Sequence, residues 1–353
     1  MLKKVLQIVL FFGLGVAVML WVFKSQQRAY LSECAQQGIP DAQCSLWDKL
    51  WSDFSSVHVG WIGAVIVAFT LSNVLRARRQ QLLLAPLGHQ VGLVSSLLTI
   101  LIGYFANLGF PRIGEVVRAG SLARAERVPV EKVMGTLVID RLTDVVCLAI
   151  VTGLAFLLQG RTLMHFINQN RADTPHGPPL WQHPLVWMGG VFALVSGVIL
   201  VVLWGKIQES LLVQKVYGML KGFKDGLLSI GRLERPVEFI FCSVGIWLMF
   251  YLQCLFNLYA FAPTAHLDAQ AALLIFVFGT LGFVIPSPGG MGTFHALCIA
   301  GLAVYHISSP DAFSYANIAF FTVQIFYNLI FGTLALLLLP AFSKPALQKE
   351  RAE

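Results

Sequence analysis

Asn107-Leu-Gly-Phe-Pro-Arg-Ile-Gly-Glu-Val-Val-Arg118 decides how this chain is read. It ends an apolar run, 90–110, that is long enough to cross a bilayer, and then turns polar within a few residues. Pro111 cannot continue the old helix and fits the first turn of a new one. Arg112, Glu115 and Arg118 follow at three-residue spacing, so they share a face of that new helix. Whether these charges lie beyond a span or at a turn inside the membrane sets the topology of everything downstream.

The surrounding chain is strongly apolar. Of 353 residues, 57% are hydrophobic and 12% charged, about half the ~25% charged share of ordinary domains. Mean hydropathy is +0.73. This excludes a disordered chain, a coiled coil and a typical soluble enzyme. The net charge of +7 would suggest nucleic acid in a soluble protein, but here it first suggests a positive-inside bias. The expected class is all-α, a polytopic membrane protein read as one membrane domain, 1–353, with no nucleic-acid partner. The apolar segments are 5–23, 57–75, 90–110, 133–158, 185–204, 237–262, 269–285, 294–307 and 312–340. Segment 5–23 has too long an apolar core, and lacks the small-residue cleavage site, to read as a signal peptide; it is expected to be a retained first helix.

Charge then discriminates between topologies. If 90–110 crossed fully, Arg112, Arg118, Arg124, Arg127, Lys132 and the Lys-rich stretch 205–236 would all lie outside. If 90–134 is instead a re-entrant hairpin, and 269–307 a second one entering from the other side, 19 of the 25 Lys and Arg fall inside, five outside and Arg141 within the membrane. The expectation is therefore six full spans plus two hairpins, both termini cytoplasmic, in a bacterial inner membrane. Helix, hairpin, helix occurs twice with opposite sense, over 57–158 and 237–340, with a linking helix at 185–204. Such an inverted repeat with broken helices in matching positions points to a transporter's binding site. Two kinked spanning helices are the plain alternative.

Other segments are less decisive. Ser45–Phe54, in the external stretch 24–56, places Leu46, Leu50 and Phe54 on one side with Trp47 and Trp51 beside them, as in an interfacial helix. Residues 207–230 read as a cytoplasmic surface helix. Cys34 and Cys44 share a polar loop and form a disulfide if that loop faces an oxidising compartment, or remain free thiols otherwise. His176 and His183 have no ligand constellation around them, so no metal is expected, and no cofactor.

Ionisable residues at membrane depth are functional candidates by default. Arg112, Glu115 and Arg118 carry net positive charge near a helix start, which itself favours anions. Asp140, Arg141 and Asp144 form a second cluster, read either as an ion pair locking this helix to the first hairpin or as a phosphate-binding arginine with carboxylates that hold a proton. The second hairpin has an uncharged tip, Ser287, Pro288, Gly289, Gly290, Gly292 and Thr293, whose backbone N–H groups suit a phosphate. His295 follows as a candidate proton carrier or hydrogen-bonded residue. No Walker loop, nucleophile elbow or zinc motif is present.

Gly114-Glu115-x-x-Arg118, Asp140-Arg141-x-x-Asp144 and Pro288-Gly-Gly-x-Gly292, in that order, resemble the membrane region of lysylphosphatidylglycerol synthases and the stand-alone flippase-like family built on it. The resemblance covers roughly 57–340. It implies an all-helical fold that binds or translocates an anionic phospholipid or a polyprenyl-linked lipid, with self-association left open. Asp140 and His295 stand where members often carry Glu. The synthase members' soluble aminoacyl-transferase domain has no counterpart here, so lysyl transfer is not expected. A membrane-embedded transferase acting on a lipid-phosphate donor, and a non-transporting lipid-binding partner of an envelope enzyme, are the rival readings.

Overall fold

A computed structural model describes residues 20, 23–32, 34–35, 39–40, 44–109, 113–172, 233–285 and 290–343. Most of the expected first helix 5–23, all of span 185–204 and nearly all of the loop 205–236 lie outside the described residues. The chain divides into two compact units, Met1–Gln159 with Leu233–Glu353, and Gly160–Arg232. Of the second unit, residues 160–172 are described.

The described residues are helical, without strands. Helix α1 (Leu46–Ser55) precedes the long α2 (Val59–Leu84). Two short helices follow, α3 (Leu93–Gly109) and α4 (Gly114–Glu126), and then the long α5 (Val130–Ala172). After the second unit the order repeats: long α6 (Pro236–Ala260), short α7 (Ala269–Val284) and α8 (Thr293–Ala303), then a long closing helix. This last helix is α9 (Ser309–Phe320), a π-helical segment Phe321–Tyr327 and α10 (Asn328–Leu338). Four helical stretches, Val59–Leu87, Val130–Asn168, Pro236–Ala260 and Ser309–Phe342, are long and apolar enough to cross a membrane. They coincide with four of the six expected spans. The short helices fall below the roughly 20 residues that a crossing needs.

Helix ends follow local chemistry. Ser45, Asp268 and Ser308 each cap the helix that follows, accepting from the N–H of Asp48, Ala271 and Asp311. Arg127 adopts a left-handed conformation (φ 57°) to end α4. Helix α2 departs most from expectation: it runs past residue 75 to Leu84 and carries Arg76, Arg78 and Arg79 as helical residues. An arginine-bearing turn survives in the helix because opposing helices supply its counter-charges.

Each short pair folds on itself. Within the first, Gly103 and Gly114 bring two backbones together: a Cβ on Gly114 would collide with the Gly103 carbonyl. Asn107 Oδ1 accepts from Gly114 N at 2.8 Å, and Gly92 N donates to Glu126 Oε1 at 3.0 Å, so the start of α3 sits beside the end of α4. In the second pair, Gly290 (φ 80°) and Gly292 (φ 83°) take left-handed conformations at the turn. Thr293 Oγ1 donates back to the Gly282 carbonyl at 2.7 Å. Close approach through small residues is the usual packing device where surrounding lipid is as apolar as the side chains.

Helix α1 docks on α9. Leu46 and Leu50 are buried against Phe313, while Trp47 and Trp51 are exposed. Lys49 Nζ lies 2.7 Å from Asp311 and 3.0 Å from Asp53, and Ser314 Oγ donates to Asp53 at 2.6 Å. Burial disfavours the charged amine, but the two carboxylates outweigh it and hold the Lys49 pKa above the ordinary 10.5. Just before α1, Cys34 and Cys44 are joined as a disulfide. Gln27 caps this region, donating to the Cys44 carbonyl and accepting from Leu46 N.

Candidate functional site

Helical spacing prepares two facing stripes. Arg76, Arg79 and Gln80 are three and four residues apart on α2, and Asp140 and Asp144 are four apart on α5, so each set shares one face. The fold presses these faces together. Arg79, fully buried, sits 2.6 Å from Asp140 through Nε and 2.7 Å from Asp144 through Nη2, and also donates to Ser243 Oγ on α6 at 3.4 Å. Arg76 reaches Asp144 at 3.3 Å and donates to the Tyr104 hydroxyl on α3 at 3.1 Å.

The first short pair adds the remaining charges. Arg118, on α4, lies 3.6 Å from Asp140 and donates to Gln80 Oε1 at 2.8 Å. Arg141 pairs with Glu115 at 2.5 Å and approaches Asp144 at 3.7 Å. Four guanidiniums (76, 79, 118, 141) therefore face three carboxylates (115, 140, 144), leaving one net positive charge. Buried charges persist only when paired, since desolvation alone costs several kcal/mol per ion. Burial divides the cluster: Arg76, Arg79, Arg118 and Asp140 are enclosed, whereas the Arg141 side chain is 46% exposed.

A cavity of about 460 Å³ opens beside this cluster. Arg76, Tyr104, Arg141 and Asp144 line its charged end. Gln253, Asn257 and Gln324, from α6 and the π-helical segment, add uncharged polar groups. The remaining wall is aromatic and aliphatic, with Phe69, Trp247, Phe276, Phe283, Phe294 and Phe320 among the residues that form it. Among the described residues, Arg76 Nε and Asn257 Oδ1 are buried without a hydrogen-bond partner. Both belong to cavity-lining residues, so an occupant with its own polar atoms would satisfy groups that the protein leaves open.

The residues singled out by sequence are distributed unevenly. Glu115, Arg118, Asp140, Arg141 and Asp144 come together in one network, of which Arg141 and Asp144 reach the cavity. Arg112, Ser287 and Gly289 lie outside the described residues. Gly290, Gly292 and Thr293 form the α7–α8 turn and are not among the cavity-lining residues. His295 is fully buried, its ring packed at 5.1 Å from Phe320 and 6.0 Å from Phe313, and it too is absent from the lining. Sequence reasoning passes over Arg76 and Arg79, because the hydropathy of α2 fades at residue 75. The available signal is their three-residue spacing, which matches the four-residue spacing of the two aspartates.

Long apolar helices, paired short helices and a charge-lined cavity between them define a multi-pass helical membrane protein. The chain belongs to the family described as the lysylphosphatidylglycerol synthase TM region, whose model matches residues 45–332. This membership relates it to lipid modification or transport. No curated protein and no solved structure matches the chain.

Proposed function

We propose that the protein binds the head group of an anionic phospholipid or a polyprenyl-linked lipid in this cavity and carries it across the inner membrane. One observation carries the reading: a single cavity joins two arginines, Arg76 and Arg141, to an aromatic wall, which is the polarity pattern of an amphiphile. Arg141 and Arg76 contact the phosphate; Arg can offer two parallel N–H donors to it, which Lys cannot. Arg79, Arg118 and Asp140 hold those two in place. Glu115 and Asp144 compete with the ligand for the guanidiniums and so let it leave.

In this reading α3–α4 and α7–α8 are re-entrant hairpins of an inverted repeat. The Gly92–Glu126 contact supports it, because a hairpin that enters and leaves from one side must bring those ends together. Leu267, just before α7, and Leu302, near the end of α8, likewise share one packed cluster. The termini are cytoplasmic: with Arg76, Arg79 and Arg118 set aside as members of the buried cluster, this topology still puts 16 basic residues inside and five outside. An enzymatic reading needs a free carboxylate base, and Glu115, Asp140 and Asp144 each face an arginine.

Reconstitution into liposomes with a head-group-labelled anionic phospholipid tests the proposal. The wild-type protein is expected to move label between leaflets, and Arg141→Ala to move little. A folded wild-type protein that scrambles no anionic lipid would refute transport.

A further inference from the structure

Among the described residues, the cavity has an exposed apolar edge whose chemistry the head-group reading does not use. Val145 on α5 and Phe283 and Val284 on α7 line the cavity and are also 63%, 41% and 57% exposed. Elsewhere the wall is shut: Ile275, Cys298, Tyr315 and Val323 line the same space and are buried. Farther along, the seam between α5 and α7 is closed. Gln159 Nε2 donates to Gln270 Oε1 at 3.1 Å, and Leu148 and Val151 pack into the cluster of Trp247 and Phe276. The opening is thus a lateral gap between two apolar helices, at the level of Arg141.

We infer that this α5–α7 gap binds one hydrocarbon chain of a lipid whose phosphate lies at Arg76 and Arg141, so that the lipid enters sideways from the bilayer. The inference rests on the proposed head-group site and adds the place of the chain. Three observations select this occupant. The mouth is apolar on both sides, and in a bilayer the material facing it is hydrocarbon rather than water. It is continuous with the cationic end of the cavity, since Arg141 is itself half exposed and lies one helical turn from Val145. The cavity, at about 460 Å³, falls in the ~300–1,000 Å³ range of small-molecule sites. That suits a head group and the start of a chain, with the rest of the chain leaving through the gap. A soluble anionic ligand would have no use for an apolar mouth.

The test uses the full-length protein in nanodiscs with two probes. One is dihexanoyl phosphatidic acid, which carries the phosphate on short chains. The other is long-chain phosphatidic acid with a photoreactive diazirine midway along one chain. Mass spectrometry of the irradiated protein is expected to find adducts concentrated on 141–146 of α5 and 280–284 of α7, at the gap rather than along the closed seam. Val145→Trp, and separately Val284→Trp on the facing wall, are expected to cut those adducts about tenfold, the equivalent of ~1.4 kcal/mol. Both should cut the long-chain adducts more than they weaken dihexanoyl binding, whereas Arg141→Ala should weaken both probes. Dihexanoyl binding that depends on Arg141, combined with adducts spread evenly over the apolar surface and insensitive to both tryptophans, overturns side entry and leaves the head-group site standing. Failure of dihexanoyl phosphatidic acid to bind at all, with the fold intact by size-exclusion chromatography, removes both readings.

Discussion

The pair α3–α4 and the pair α7–α8 each stand between two long helices, and each turns on close glycine or threonine contacts. Their chemistry is opposite. The first meets α2 and α5 in a cluster of seven charged side chains (76, 79, 115, 118, 140, 141, 144). The second meets α9 through rings: His295 lies among Phe294, Phe313 and Phe320. One architecture used twice thus gives a cavity with a cationic end and an apolar wall. The proposed amphiphile site rests on this asymmetry rather than on the repetition.

The comparison is broken most directly at its charged side. Arg79→Ala leaves Asp140 buried without its closest cation and should cost about 3–5 kcal/mol of stability. Thermal unfolding in detergent should show a large fall, and Arg79→Lys should restore only part of it, because one ammonium cannot bridge both aspartates as Nε and Nη2 do. A small effect would mean that the network does not organise the site. Next, Gly114→Val forces a side chain into the α3 backbone and should cost about 1–3 kcal/mol; the same measurement checks it.

Arg141→Ala sharpens the division within the cluster. Its partly exposed pair with Glu115 should be worth roughly 0–1 kcal/mol, yet lipid transport should fall severely. Equal losses of stability and transport would make Arg141 a structural residue like Arg79. His295→Phe probes the second pair. Phenylalanine keeps the ring and approximate volume in an aromatic nest, so stability should change by less than about 1.5 kcal/mol and transport should persist. Abolished transport in a folded variant would show that the second pair carries chemistry after all.

The smallest effect concerns Lys49. Its raised pKa means that the link from α1 to Asp311 is fully present below the ordinary lysine value of 10.5 and is lost as pH rises through the raised one. Trp47 and Trp51 fluorescence should therefore hold steady through neutral pH and change only in strong alkali. Lys49→Met, with its pairs only partly buried, should cost about 1 kcal/mol or less.

Much of this was legible in the residues. Segments 57–75, 133–158, 237–262 and 312–340 are long apolar runs, and each contains the core of a helix that is there. Pro111 with Gly109, and the Pro286–Gly292 stretch, break helices whatever surrounds them, so two short pairs followed. The end of α2 was not legible. Arg76 and Arg79 look like the close of a span when hydropathy is summed along the chain, because their counter-charges lie 61 to 68 residues away. Arg118 was legible as a membrane-depth cation, but not that Gln80 and Asp140 would hold it away from the cavity. His295 was legible as a titratable group, but not its enclosure by rings from a helix that begins 14 residues later.

By itself, the sequence determined an all-helical membrane chain, the places where its helices break and the family to which it belongs. Those properties depend on hydropathy, proline and glycine, which act locally. Only the tertiary structure decided which arginines are spent and which remain available. Two guanidiniums a turn apart are equivalent along a helix, and they become different only when neighbouring helices pair both with carboxylates but set just one of them, Arg76, against an open cavity.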